Sequence, residues 1–521
     1  MKRGSRKIPC RLQLNQTEDF IQPTMNNTST KQQPLSTATL GQLDDRVAVP
    51  AYDRHRLTAG IAHIGVGNFH RVHQALYVDR CLHLPGHDAW AICGIGLGSG
   101  ASALAKAQAL RAQDCLYTVT EFDSDGSAST RVIGAMIDYL HAPADPEAVL
   151  RKLADPAILI VSLTITEGGY NFDEATGAFK LDELDVAHDL AGAPPRTAFG
   201  FIVEALRRRR ETNVPAFTVM SCDNLPQNGD TVRRAVLSFA RAVDLSLADW
   251  IADHAAFPNS MVDRIAPQVT REVREMVSGM SGVDDATPVV AETFTQWVIE
   301  DRFSNGRPAF DAVGVEMKND VEAYEAMKGR MLNASHMLLA YPAILLGYRL
   351  VHEAINDPDI AALLRAFFQH DVGPILELPP GVSSEAYGEK TLERFGNPAV
   401  ADQLLRVAHD GAAKIPVFHA KTIDTLVRDK RDMRREALLL ACFQEYLGGV
   451  DDRGEVFTVD EKKLTAADWE LHESGDPMAV LHMSPFSSLH LAGNDVFVEH
   501  FRLLEDIVSR GNTRTALREA I

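Results

Sequence analysis

Lys328, Asn333 and His336 stand in a K-x4-N-x2-H pattern inside a stretch of helical period, 320–340. At about 100° per residue, His336 lies roughly 80° and Asn333 roughly 140° around the helix from Lys328, with Asn333 and His336 about 60° apart. All three can line one side of a cleft. A lysine desolvated there would have its pKa drawn down toward neutrality and would serve as a general base. An asparagine amide can donate to an oxygen that becomes an oxyanion, and a histidine can orient a hydroxyl. The polar edge of an ordinary helix would show the same spacing, so the reading needs a second cluster facing this one. Cys222-Asp223-Asn224 supplies it, directly after the buried apolar run 216–222. Open α/β sheets seat their ligands at the carboxyl ends of parallel strands, which places Asn224 in the crevice that the lysine helix faces.

A second motif, Gly65-Val66-Gly67-Asn68-Phe69-His70, follows the apolar run 60–64. Two glycines at this spacing permit a tight strand-to-helix turn and a close backbone approach to a pyrophosphate. The N-terminus of the new helix then presents unpaired N–H groups to that anion. An ordinary tight turn uses the same residues, but the position after the first strand of an alternating pattern favours a dinucleotide. Ile64, Gly65, Val66, Gly67, Asn68 and Phe69 are therefore the candidate cofactor-binding residues. The third position of a G-x-G-x-x-G pattern is His70. After the second strand, Gly94 to Ser102 contains no acid to hold a ribose 2′-hydroxyl, and no basic residue precedes Lys106. NAD is the expected cofactor, with NADP left open.

These residues need a scaffold, and the chain supplies two. Strand-like runs at 60–64, 89–94, 116–121, 131–139, 157–165 and 216–222 alternate with helical stretches at 68–82, 102–112, 145–153 and 199–211. That alternation predicts an α/β Rossmann-type N-terminal domain with a largely parallel sheet, spanning 46–318. Helical periods at 320–355, 358–370, 397–411, 417–428 and 430–446 predict a mainly α-helical C-terminal domain, 319–521. Residues 1–45 read as a disordered or extended segment, basic at first and then rich in Asn, Thr, Ser and Gln, with Met25 as an alternative start. The charge runs 207–210 and 428–435 read as solvated helix faces.

Composition narrows the function further. The 521 residues carry a net charge of −19, which repels phosphate backbones and anionic membranes, so neither nucleic acid nor membrane is an expected partner. No apolar run approaches the ~20 residues of a membrane span; Met337–Tyr348 is interrupted by Pro342 and Gly347. Six cysteines without a C-x-x-C pair fit a reducing compartment, and no apolar run follows Met1-Lys2-Arg3, so a cytoplasmic protein is expected. His70 and His73 are three apart, but no third residue completes a zinc-like spacing; His73 reads as a helix-surface residue.

Gly65-x-Gly67-x-Phe69-His70-Arg71, Cys222-Asp223-Asn224 and Lys328-x4-Asn333-x2-His336, in this order, resemble the motifs of the polyol-specific long-chain dehydrogenases/reductases. The resemblance covers about 50–520 and implies metal-independent oxidoreductases whose helical domain closes over the substrate. It points most closely to interconversion of D-mannitol and D-fructose. Arabinitol or sorbitol oxidation, or fructuronate reduction, are the alternatives within the family; a non-catalytic nucleotide-binding regulator is the alternative outside it. By resemblance, Lys328 is the acid/base, Asn224 and Asn333 hold the reacting oxygen, and His336 orients the substrate. Asp263 would lie near nicotinamide and substrate, and Arg406 and Lys414 would bind substrate hydroxyls. Glu325 would serve the proton path of Lys328, with a plain i,i+3 ion pair as the alternative. A polyol or ketose is then the expected partner, no resident metal is expected, and the chain is expected to be a monomer.

Overall fold

A computed structural model describes residues 32–173 and 177–521. Expectations for residues 1–31 lie outside these. Five parallel strands form the central sheet, in the spatial order Met136–His141, Ala91–Gly96, Ala59–Ile64, Ile160–Leu163 and Thr218–Ser221. The chain builds outward in one direction from Ala59–Ile64 and then returns to build in the other. The topological switch therefore falls between Ala59–Ile64 and Ile160–Leu163, where a crevice opens at the carboxyl ends of the strands. Ala59–Ile64, Tyr117–Phe122, Ile160–Leu163 and Thr218–Ser221 are buried throughout, which explains their mostly apolar or β-branched composition. Helices Ala101–Ala112, Pro146–Ala154 and Ala198–Glu211 supply crossovers.

The structure divides two elements that the sequence reads as continuous. The run 131–139 belongs to two strands in different sheets, Ala128–Ile133 and Met136–His141, with Gly134 at the break. A Cβ at Gly134 would fall 2.7 Å from the Pro50 ring, so the chain turns there against a close neighbour. The helix expected over 68–82 is broken at His73 (φ −117°, ψ −88°) into Asn68–Val72 and Gln74–Leu82.

A four-stranded sheet (Val289–Glu292, Tyr117–Phe122, Ala128–Ile133, Val47–Ala48) and a three-stranded one (Ser260–Asp263, Gln296–Glu300, Glu316–Lys318) complete this half. The sequence reading finds none of the strands between 260 and 318, because they are short and do not alternate cleanly.

The C-terminal half is helical, packed around Ala334–Leu345, every residue of which is buried. A helix apolar on all sides must be central to its domain. Around it lie Pro358–Ala366, Ser384–Phe395, Gly411–Arg428, Arg434–Tyr446, Asp495–Val508 and Thr513–Ala520. Two expectations need correction. The helix over 397–411 shrinks to Leu404–Ala408, and 320–355 contains a π-turn and an interruption before Val351–Ile355. No helix among the described residues is long and apolar enough to cross a membrane. The charge runs are also less uniform than expected: Arg209 and Arg435 are buried, Arg209 donating to the Leu153 and Ile158 carbonyls and Arg435 to Asp371.

The segment expected to be disordered or extended up to residue 45 is docked from residue 33. Gln33–Pro34 pairs in parallel with Val283–Asp284, and a 3₁₀ turn follows at Thr37–Gln42. Leu35 is buried with Val47, Leu116, Val132 and Val283. Leu35→Ala should therefore destabilise by about 2–3 kcal/mol, the low end for a buried leucine because the cluster is small. Thermal unfolding should show a Tm lower by several degrees; an unchanged Tm would mean that this segment does not pack on the body.

Candidate active site

Lys328 opens a π-turn, Lys328–Asn333, between the α-helical segments Glu322–Met327 and Ala334–Leu345. The Ala334 N–H donates to the carbonyl of Gly329, five residues back. Residues five apart in such a turn lie about 50° apart, against about 140° in an α-helix. The widened turn therefore swings Asn333 under Lys328, and both reach one oxygen. Lys328 Nζ donates to Asn224 Oδ1 at 2.6 Å and Asn333 Nδ2 donates to it at 3.4 Å.

Side chains hold the widened turn from behind. Buried Ser335 donates to the Leu332 carbonyl at 3.1 Å, and buried His419 donates through Nε2 to the Ala334 carbonyl at 3.1 Å. Arg330 Nε donates to Thr422 Oγ1 at 3.2 Å.

Asn224 is pinned from both sides. The Asp223 carboxylate accepts from the Ile165 and Thr166 N–H groups and the Tyr170 hydroxyl, which follow the neighbouring strand Ile160–Leu163. Asn228 donates to the Asp223 and Ser260 carbonyls. Glu325 ties this loop to the lysine helix, its Oε2 accepting from the Gln227 N–H at 3.0 Å. Burial, with Glu300, Glu322 and Asp230 nearby, pushes the Glu325 carboxyl up to about 7, and its Oε1 is buried without a partner among the described residues.

His336 shares the cleft-lining face of this helix. Its ring stacks on Phe395 at 4.2 Å, and burial draws its pKa down to about 4, so it is neutral at pH 7. Its buried Nε2 has no hydrogen-bond partner among the described residues and lies 4.0 Å from Asp402. Asp402 also takes the Nε and Nη2 of Arg406 at 2.7 and 2.6 Å. Lys414 Nζ donates to the His409 and Val407 carbonyls. Asp402 thus links Arg406 to the neighbourhood of His336, and Arg406 and Lys414 also act electrostatically on the imidazole. Asp263 ends the strand Ser260–Asp263, is buried, and is held below the usual carboxylate range by Arg394, with Lys328 and His73 also acting on it.

At the switch point, Gly65 has φ +97°, and a Cβ there would fall 2.0 Å from the Thr164 carbonyl oxygen, so only glycine fits. A Cβ at Gly67 would meet nothing closer than 3.8 Å, which leaves that backbone open. A cavity of about 490 Å³ lies above, lined by Gly65, Val66, Gly67, Gly98, Lys106 and Asn171 among others. Lys106 Nζ reaches back to the Val66 carbonyl at 2.7 Å. The bare backbone of Gly65–Gly67, the helix starting at Asn68 and a flanking ammonium fit a dinucleotide pyrophosphate.

Ile64 is buried in the strand behind this cavity, and Phe69 stacks on His73, so neither is placed on the cavity wall. Asn68 accepts from Arg71, which also donates to the Gly67 carbonyl. His73 is not on a helix surface as expected. It sits at the helix break, fully buried, with Nε2 donating to the Gln296 carbonyl, and burial draws its pKa down to about 3. Arg71, Arg394 and Asp402 are residues whose parts in the site the sequence reading missed. Arg71 stands within the glycine motif, so its place was visible although its bond to the loop was not. Nothing in the sequence marks Arg394 or Asp402.

Comparison with known proteins places these features in context. The model of the mannitol dehydrogenase Rossmann domain matches residues 59–312, and that of the mannitol dehydrogenase C-terminal domain matches 320–505. A polyol:NADP oxidoreductase of Gluconobacter oxydans is 47% identical over 454 residues, covering 87% of this chain and 93% of its own. The Pseudomonas fluorescens mannitol 2-dehydrogenase, solved as a ternary complex with NAD and D-mannitol, is 42% identical with a TM-score of 0.87, covering 93% of this chain and 99% of that one. A substrate-free D-sorbitol dehydrogenase is 44% identical with a TM-score of 0.84, covering 93% and 100%.

Glu325 yields a test with a defined sign. Its folded carboxyl titrates near 7 and its ordinary value is 4.5, so the native state holds the extra proton between those values. The stability it allows falls as pH rises through that window. Glu325→Gln should raise Tm by a few degrees relative to the parent at pH 8 and leave it unchanged near pH 4. An equal effect at both pH values would show that the carboxyl is not buried as described.

Proposed function

We infer that this chain, which belongs to the mannitol dehydrogenase family, is a nicotinamide-dependent polyol dehydrogenase that interconverts D-mannitol and D-fructose. The observation that carries the reading is the convergence of Lys328 and Asn333 on the oxygen of Asn224 at the mouth of the switch crevice. Gly65, Val66 and Gly67 would hold the cofactor's pyrophosphate. When bound, the nicotinamide accepts the hydride from the substrate carbon in oxidation and returns it in reduction.

The chain's own residues handle the proton and the charge. In oxidation Lys328 Nζ takes the proton of the C2 hydroxyl; in reduction it gives a proton to the carbonyl oxygen. Asn224 Oδ1 aims the Nζ and accepts one Asn333 N–H, which leaves the Asn224 amide N–H groups and the other Asn333 N–H to donate to the oxygen that carries developing negative charge. Both domains close over that oxygen, and the loss of water strengthens each bond. Glu325, one turn before Lys328 and titrating near neutrality, relays the proton outward. Neutral His336 orients a neighbouring substrate hydroxyl through its buried Nε2. Arg406 and Lys414 bind hydroxyls farther along the substrate, and Asp263 lies beside nicotinamide and substrate. Because Asp402 already neutralises Arg406 through two bonds, the site favours an uncharged polyol over a uronate.

NAD is the proposed cofactor. Gly98 to Ser102 offers no acid to select it strongly, Lys106 is engaged with Val66, and Arg196 on the cavity rim is paired with Asp185. Without an acid, discrimination loses roughly one hydrogen bond, so kcat/KM for NAD should exceed that for NADP by only about tenfold.

One assay tests the reading. The parent should oxidise D-mannitol in preference to D-sorbitol and D-arabinitol. Lys328→Ala should lose about 10²–10⁴ in kcat in both directions, with NADH affinity within a few fold. A Lys328→Ala variant that keeps half the parent's turnover would remove the lysine from the mechanism.

A further inference from the structure

Arg394 lies near the end of the helix Ser384–Phe395 in the C-terminal domain, yet all its side-chain bonds go to the N-terminal domain. Its Nη1 and Nη2 each donate to one oxygen of Asp263 at 2.9 Å. Its Nε and Nη2 donate to the two oxygens of Glu292 at 3.0 and 2.7 Å. The guanidinium lies 4.0 Å from the centroid of the Phe294 ring, and its side chain is only 4% exposed. Three residues on, Asn397 donates to the Phe122 carbonyl at 3.2 Å, extending the same grip. Phe395, next to Arg394 in the chain, carries the ring on which His336 stacks.

Burying two carboxylates against one guanidinium is a poor way to gain stability. Desolvation offsets most of the attraction, and well-packed apolar side chains would serve as well. What the arrangement does supply is register. A planar fork with paired N–H groups fixes the position and plane of each carboxylate, which an ammonium cannot do.

We propose that Arg394 is a positioning residue for catalysis: it locks the Asp263 carboxylate at the end of the Ser260–Asp263 strand and, through the helix end it anchors, sets the Phe395 ring against His336. The clasp thus joins the substrate-orienting histidine, and the helix it shares with Lys328, to the closure of the two domains. The inference rests on the polyol dehydrogenase reading given above. A displacement of about 1 Å at a reacting centre costs roughly 10²-fold in rate, which is the effect expected here.

The test uses the full chain with D-mannitol and NAD, and exogenous guanidinium as the probe. Arg394→Ala should lower kcat/KM for D-mannitol by about 10²-fold while NADH affinity stays within a few fold, because the cofactor cavity does not include this residue. Guanidinium chloride at about 20 mM, far below denaturing levels, should restore at least tenfold of the loss by refilling the fork. Arg394→Lys should keep the charge but recover little, and should not respond to guanidinium. Arg394→Ala with parental kcat/KM would overturn the inference. So would a loss accompanied by equal loss of NADH binding and no response to guanidinium, which marks a purely structural clasp. An inactive parent overturns the polyol reading and this inference together; an active parent matched by Arg394→Ala overturns the inference alone.

Discussion

The hydrogen bond from Lys328 Nζ to Asn224 Oδ1 is the interaction on which the rest of the site depends. It joins a residue carried by the helical domain to one carried by the sheet domain, at the carboxyl end of the Thr218–Ser221 strand. Neither partner can be moved along its element without breaking the bond. On one side, the bonds to Asp223 and Asn228 fix the loop in which Asn224 sits. On the other, the π-turn fixes the angle at which Lys328 and Asn333 leave their helix. A regular helix would leave them about 140° apart, too far around the helix to converge on one oxygen. The extra residue in the turn has a cost in misaligned carbonyls, and Ser335 and His419 answer it with side-chain donors.

Fold and chemistry meet at the same place for the same reason. The switch in strand order parts the chain between Gly65 and Thr164, and the only backbone that fits there is glycine in a left-handed conformation. That bare loop is what a pyrophosphate needs. The helical domain then closes the crevice from above, with Arg394 gripping Asp263 and Glu292 and with Glu325 bonded to the Asn224 loop. Buried titratable groups gather along that seam. His336 and His73 are held neutral and Glu325 is held near neutrality, all by desolvation, so the seam is tuned by water exclusion as much as by charge pairing.

Much of this was legible in the sequence, and what was not has physical causes. The parallel sheet was visible because its strands are buried on both faces and read as apolar runs. The buried helix Ala334–Leu345 was visible for a similar reason. The short strands after residue 260 were hidden, because elements of three to five residues carry too little pattern. Lys328, Asn333 and His336 could be picked out as polar residues in an apolar helix, and Asn224 by its place after a buried strand. The π-turn could not, although it is the widened turn that brings Lys328 and Asn333 onto one oxygen. Arg394 was invisible for another reason: its partners Asp263 and Glu292 lie across the domain boundary, and a lone Arg on an amphipathic helix reads as solvated. Asp402 reads as a local partner of Arg406, and its approach to His336, far earlier in the chain, leaves no mark in the sequence. Docking of residues 33–42 was missed because a polar composition masks the single buried leucine.

The central claim is that Asn224 and Asn333 act with Lys328 on one substrate oxygen, and a double-substitution cycle in kcat/KM for D-mannitol tests it most directly. Asn224→Ala and Asn333→Ala should each cost about 10²–10³. The double variant should lose far less than the product of the two, because the first substitution already dismantles the shared site. Losses that multiply cleanly, or either single variant at the parental value, would show that the two amides work on separate groups and would contradict the account.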